Sequence, residues 1–261
     1  MAPSSFTRRK VTLVVVAVAV AALCVRLGFW QLSRLHERRS FEAAVHAGLA
    51  GEPRPIAAVL PREDGVDVDA VRYVRVDVTG SFDPEREVIL YGRGLGEREG
   101  HHVLTPLLMP GGVAIVVDRG WVPFRDDTPP VAEAAPPAGE VTVTGILLPS
   151  EGGLPGDGGG PAVEQLTHAD LAQLAAQLPY PIEPLWLLLQ RESAPSSSSL
   201  PTPAPFEMPE APPHLSYAIQ WFAFATIALV GAAILIRRGD RRDLPMTRPE
   251  PADRLEQDEQ E

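Results

Sequence analysis

The chain has 261 residues, enough for one good-sized domain with attachments. Its net charge is −11, and between Glu37 and Pro213 acidic residues outnumber arginine by more than two to one, so no basic face exists for nucleic acid and that class is excluded. The sole cysteine, Cys24, lies in an apolar run, which excludes a disulfide framework or a thiolate metal site from the rest of the chain.

Arg8-Arg9-Lys10 precede fifteen apolar residues, Val11 to Val25. Alone, such a run fits a signal-peptide core as well as a membrane span. Cleavage after Ala21 or Ala22 is possible on residue size. Against it, apolar character resumes after Arg26 with Leu27, Phe29, Trp30 and Leu32, and Arg26 can snorkel from near a helix end. The favoured reading is a cytoplasmic N-terminus at 1–10 and a retained transmembrane helix at 11–32.

The segment 33–194 reads as an extracytoplasmic, β-rich domain. Tyr73 to Thr79 alternates apolar and polar residues, the period of a half-buried strand. Val88 to Tyr91, Val103 to Met109, Val113 to Asp118 and Val141 to Leu148 follow as strands. Pro110-Gly111-Gly112 turns the third into the fourth as a hairpin. Leu185 to Leu189 returns to the sheet. These short strands predict a mainly antiparallel sheet or small barrel within an α+β domain. Thr167-His168-Ala169-Asp170 resembles a capping box for a short helix carrying Leu171, Leu174 and Leu178. Glu151 to Gly160 is a glycine loop.

A Ser/Pro-rich tether at 195–213 leads into a second transmembrane helix at 214–236. No Arg or Lys stands between Ala194 and Pro213, whereas four arginines fall within Arg237 to Arg242. That gradient places the C-terminus, with its acidic tail at 237–261, in the cytoplasm. Two spans put the N-terminus on the same side and the domain outside.

His214, Tyr217, Trp221 and Phe224 recur at spacings of three, four and three, so one helix face carries an imidazole and an aromatic stripe at the outer membrane surface. Neutral imidazole is a haem-iron ligand; the plainer alternative is a polar residue anchoring the span. His101-His102 point to opposite faces of an extended strand and read as a surface turn. His36, His46 and His168 read as solvated, without metal-ligand spacing. In Asp118-Arg119-Gly120-Trp121-Val122-Pro123, Gly120 permits a bend and Trp121 fills the core, with partner recognition as the alternative. No Gly-x-Ser-x-Gly elbow or phosphate-binding glycine loop occurs, so the chain is not expected to be an enzyme.

Four stretches together carry a resemblance: Gly28-Phe29-Trp30-Gln31-Leu32-Ser33-Arg34, Arg93 through His101-His102-Val103-Leu104-Thr105-Pro106-Leu107, Val117 through Pro123, and His214 through Phe222. In order, over about residues 10 to 238, the chain resembles the surfeit-locus family of cytochrome c oxidase assembly factors. The resemblance implies two membrane helices flanking an extracytoplasmic domain, in the bacterial cytoplasmic membrane. It implies partnership with oxidase subunit I and the haem-delivery machinery, and binding of haem a through His214 as iron ligand. Tyr217, Trp221, Trp30 and Arg34 are the expected haem contacts. Gln31, Arg119, Gly120, Trp121 and Pro123 are expected as partner or structural positions. The alternatives are a haem-independent scaffold for the oxidase subunit and an extracytoplasmic sensor or enzyme. Asp118 stands where the family often has Asn.

Overall fold

The computed structural model describes residues 5–61, 67–157, 162–193, 199–208 and 211–242. The acidic tail beyond residue 242, the tip of the glycine loop and parts of the Ser/Pro tether lie outside them. The chain divides into two compact units, Ser40–Pro209 and Met1–Arg39 with Glu210–Glu261.

In order, the elements are helix α1 (Ser5–Ala50), strand β1 (Arg54–Pro55), helices α2 (Ile56–Val59) and α3 (Val68–Val71), and strands β2 (Arg75–Phe82), β3 (Val88–Leu90), β4 (Gly100–Leu108), β5 (Ala114–Pro123) and β6 (Glu140–Pro149). Strand β7 (Gln165–Leu166), helix α4 (Leu171–Gln177), strand β8 (Ile182–Glu192) and helix α5 (His214–Arg242) complete the chain.

The strands run in the order β1-β2-β6-β8-β5-β4-β3-β7, and β2 also pairs with β4 through Ser81↔Leu108 and Phe82↔Leu107. That pairing closes β2, β6, β8, β5 and β4 into a ring. Alternate residues of all five strands point inward, among them Val76, Leu107, Val117, Val143 and Leu187, and form one apolar core. Closure brings Gly80 so near the Leu108 carbonyl that a Cβ there would lie 2.3 Å from it. Glycine is therefore required where β2 bends across.

The expectation of a mainly antiparallel sheet needs correction: the sheet is mixed. β5 runs parallel to β8, β1 to β2, and β3 to β7. The β4–β5 hairpin around Pro110-Gly111-Gly112 forms as expected, with Gly111 and Gly112 at φ of 99° and 78°. The chain then crosses β6 and α4 before β8 returns alongside β5, and a return in the same direction requires such a long crossover. A second apolar cluster lies on the outer face, where α4 covers it with Leu171 and Leu174. The cap of α4 is Asp170 and not the Thr167 box: its carboxylate accepts from the Ala172 and Gln173 amides.

The helix unit is simpler. α1 and α5 are each long and apolar enough to cross a membrane, judged by length and composition. α1 runs unbroken for 46 residues, about 69 Å at the helical rise, well past the expected end near residue 32. Both helices turn apolar side chains outward, including Val15, Leu23, Phe29, Ile219, Ile227 and Leu235.

Candidate functional site

In the helix unit the buried positions of α1 are Ala17, Ala21 and Cys24, and the same face continues through Gly28 and Gln31. Their spacing of four, three, four, three keeps one seam facing α5. α5 answers with buried Ala218, Ala225 and Ala232. Small side chains let two apolar helices approach closely. Ala21, Cys24 and Ala225 bury together, with Trp221 packed against them. At Gly28 the approach is closest: a Cβ there would meet the Phe222 ring at 2.7 Å. The same ring packs edge-on against Phe29, centroids 5.5 Å apart.

This contact sets the position of His214. It is the first residue of α5, immediately after Pro212-Pro213, where a helix can begin but not extend backwards. Its Nδ1 lies 2.8 Å from Gln31 Oε1. An amide oxygen only accepts, so Nδ1 donates, and in the neutral ring the lone pair sits on Nε2. The other expected contacts are placed differently. Trp30 and Tyr217 are half exposed. The Arg34 guanidinium lies 5.8 Å from the centre of the Trp30 ring and pairs with Glu37 at 2.8 Å. Trp221 meets Phe224 edge-on at 5.9 Å. The seam thus joins His214, Gln31 and the Trp221-Phe222 step, while Trp30, Tyr217 and Arg34 lie outside its buried contacts.

In the sheet unit, Asp118, Arg119, Gly120 and Trp121 act in four directions. Arg119 is wholly buried; its Nη1 donates to the Ala134 carbonyl at 2.5 Å and lies 3.8 Å from Glu87. Its Nε lies 3.8 Å from Glu192. Burial pushes the Glu87 carboxyl above its usual range, opposed by the Val131 amide, the Thr105 hydroxyl and Arg119. Burial lowers the Arg119 guanidinium, opposed by Glu192 and Glu87. Gly120, at φ 123°, meets the backbone of Thr202, and Trp121 exchanges two backbone hydrogen bonds with that residue at 2.7 and 2.9 Å. Pro123 ends β5 opposite Gly100. The tether is therefore fastened to the sheet unit at Thr202, which its Ser/Pro composition concealed.

His101-His102 are not a surface turn. Both lie within β4 and are buried. His101 stacks on Tyr91 at 4.3 Å and its Nδ1 accepts from the Gly92 amide at 3.2 Å. His102 turns to the opposite face, where its Nδ1 donates to Asp118 Oδ2 at 2.7 Å. Among the described residues no three His, Cys, Asp or Glu side chains cluster as a metal site.

The sheet unit is a closed mixed sheet, and the helix unit pairs two long apolar helices with a half-buried imidazole at their seam. The sequence pattern of the SURF1 family matches residues 18–226, and the chain belongs to that family, the surfeit-locus cytochrome c oxidase assembly factors. It is 29% identical over 255 residues to an uncharacterized SURF1-like protein of Mycobacterium tuberculosis, covering 90% of each chain. A SURF1-like protein of Rickettsia felis is 28% identical over 232 residues, 85% of this chain and 96% of that one. Surfeit locus protein 1 of Mus musculus is 28% identical over 147 residues, 51% of this chain and 46% of its own length.

Proposed function

We propose that this protein serves cytochrome c oxidase assembly by holding haem a at the outer end of its helix pair, with His214 as iron ligand, and retaining or delivering it near subunit I. The observation that carries this is the 2.8 Å contact between His214 Nδ1 and Gln31 Oε1. Metal-ligating histidines nearly always donate their other ring N–H to a fixed acceptor, which sets the tautomer and aims the free nitrogen. Gln31 does both for His214. Bound there, haem a supplies an iron with an axial position for one imidazole nitrogen.

The helices cross the bacterial cytoplasmic membrane with both termini inside and the sheet unit outside. Their outward-facing valines, leucines and isoleucines support this, because such a surface is unfavourable in water. So do the four arginines that follow the second apolar run. Trp30 and Tyr217, each half exposed near this end, suit the headgroup layer and are free to lie against a flat ring. Arg34, beside Trp30 and in an exposed pair with Glu37, is the cation nearest to hand for a haem carboxylate. The protein makes and breaks no bond; its residues orient, shield and release.

The test is purification from a host that makes haem a, comparing wild type with His214→Ala and Gln31→Leu. The expected result is loss of most bound haem in the first and partial loss in the second. Unchanged haem in His214→Ala, with the oxidase subunit still co-purifying, would leave the haem-independent scaffold in its place.

A further inference from the structure

The sheet unit contains a cavity of about 400 Å³ that the assembly reading does not use. Its walls are mixed: Tyr73, Leu148, Trp186, Leu188 and Phe206 give it an apolar and aromatic side, and Arg93, Ser150, Glu151 and Glu207 a polar one. His102 and Asp118 line it as well.

Three observations point to an occupant. First, His102 and Asp118 are at least nine-tenths buried, at 9% and 1% exposure. Asp118 uses both oxygens internally, accepting from the Gly120 amide at 2.9 Å and from His102 Nδ1 at 2.7 Å. In the neutral ring the lone pair then sits on Nε2, and that buried atom has no hydrogen-bond partner within the protein. A buried acceptor without a donor is costly and uncommon in a folded chain. Second, Tyr73 sits at φ 64°, a left-handed conformation that a tyrosine adopts only where surrounding structure enforces it. Its ring is held edge-on between Phe41 and Phe206, at 5.5 and 5.7 Å. Third, the Trp186 indole N–H is already given to the Pro149 carbonyl at 2.8 Å, so Trp186 offers the cavity ring surface and no donor.

The charges narrow the ligand. Asp118, Glu151 and Glu207 line the cavity, and the sole basic side chain of that lining, Arg93, is paired with Glu151. An anion therefore finds no spare cation. A bare metal ion finds one imidazole, too few ligands for a site of its own. An uncharged molecule with an aromatic body and one donor satisfies both the walls and the nitrogen.

We propose that this cavity binds a small neutral aromatic molecule of the phenol class, whose hydroxyl donates to His102 Nε2 while its ring lies among Tyr73, Trp186 and Phe206. The probes are p-cresol and toluene, which share a ring and methyl group and differ by the hydroxyl. The full chain, in detergent micelles and labelled with ¹⁵N in its histidine rings, is titrated with each while the ring-nitrogen signals are followed. The His102 signals are identified by their disappearance in His102→Gln or, if that variant does not fold, as those that survive replacement of each of the other five histidines in turn. Saturable movement of the His102 Nε2 signal towards the hydrogen-bonded position is expected with p-cresol. The hydroxyl is expected to make binding about three- to tenfold tighter than that of toluene. No movement with p-cresol, or the same movement with toluene, would overturn the proposal. The wild-type comparison decides this even if a His102 variant does not fold, and it is independent of haem at His214.

Discussion

Replacing Gly28 with leucine is the sharpest perturbation of the helix seam. A Cβ at this position meets three Phe222 ring carbons at 2.7, 2.8 and 3.0 Å. Carbon atoms rest at about 3.5–4.0 Å, so even alanine requires a retreat of nearly 1 Å. Leucine adds three further carbons along the same line. If the helices hold, overpacking costs about 1–3 kcal/mol. If they part, the edge-on Phe29–Phe222 contact is lost, worth about 0.5–1.5 kcal/mol. The Gln31–His214 hydrogen bond, of about the same size, goes with it. Either route weakens the pairing by about 2 kcal/mol, a roughly thirtyfold fall in the equilibrium constant for helix pairing. Cys24, the chain's sole cysteine, reports this directly, because it is buried with Ala225. In membranes carrying Ala225→Cys, oxidation is expected to join Cys24 to the new thiol. Adding Gly28→Leu is expected to slow that reaction, with Gly28→Ala in between. An unchanged rate in Gly28→Leu would mean that the helices do not meet at this seam.

Gly120→Ala places a methyl group 2.2 Å from the Thr202 carbonyl oxygen at φ 123°. Backbone strain of about 1–3 kcal/mol is joined by loss of the two Trp121–Thr202 hydrogen bonds, at about 1 kcal/mol each. Hydrogen exchange over residues 199–206 is expected to accelerate at least tenfold, and wild-type protection there would refute the fastening. For Glu87, burial raises the folded-state carboxyl above the usual 4.5, so the folded chain binds this proton more tightly than the unfolded one. The resulting stabilisation is complete below about pH 4.5 and is lost as pH rises through the folded value. In denaturant unfolding from acid to neutral pH, wild type is therefore expected to lose stability relative to Glu87→Gln; a constant difference would contradict the burial argument.

Part of the sheet unit was legible where a strand is half-buried, as in β2 and the start of β6. Period-two alternation in Arg75–Phe82 and over Glu140 to Val143, and the glycines after Pro110, mark strands and a turn by local chemistry. The parallel β5–β8 pairing was not legible, since nothing in either strand records which way a distant partner runs. Ring closure depends likewise on a two-pair contact between β2 and β4. The charges of Glu97, Arg98 and Glu99 and the glycine at 100 suggest a solvated turn and conceal that the two histidines after them are buried. The alternation of β4 and the aspartate at 118 were the available signal that one histidine faces a buried carboxylate. In α1 the run is apolar on every side, which conceals the seam. Only residue size, in Ala17, Ala21, Cys24 and Gly28, distinguishes the face that meets α5. His214 and Gln31 were both singled out in the sequence, but their pairing across 183 positions required the fold.

The most direct test of the account is pulsed electron paramagnetic resonance on the haem-loaded full chain, made in a haem-a-producing host with ¹⁵N-labelled histidine rings. A bound imidazole nitrogen couples to the iron spin, and the account predicts a ¹⁵N coupling that disappears in His214→Ala. It also predicts altered coupling in Gln31→Leu, where the imidazole loses its acceptor. A ¹⁵N coupling that persists in His214→Ala, or its absence from the haem-loaded wild type, would contradict the assignment of His214 as the iron ligand.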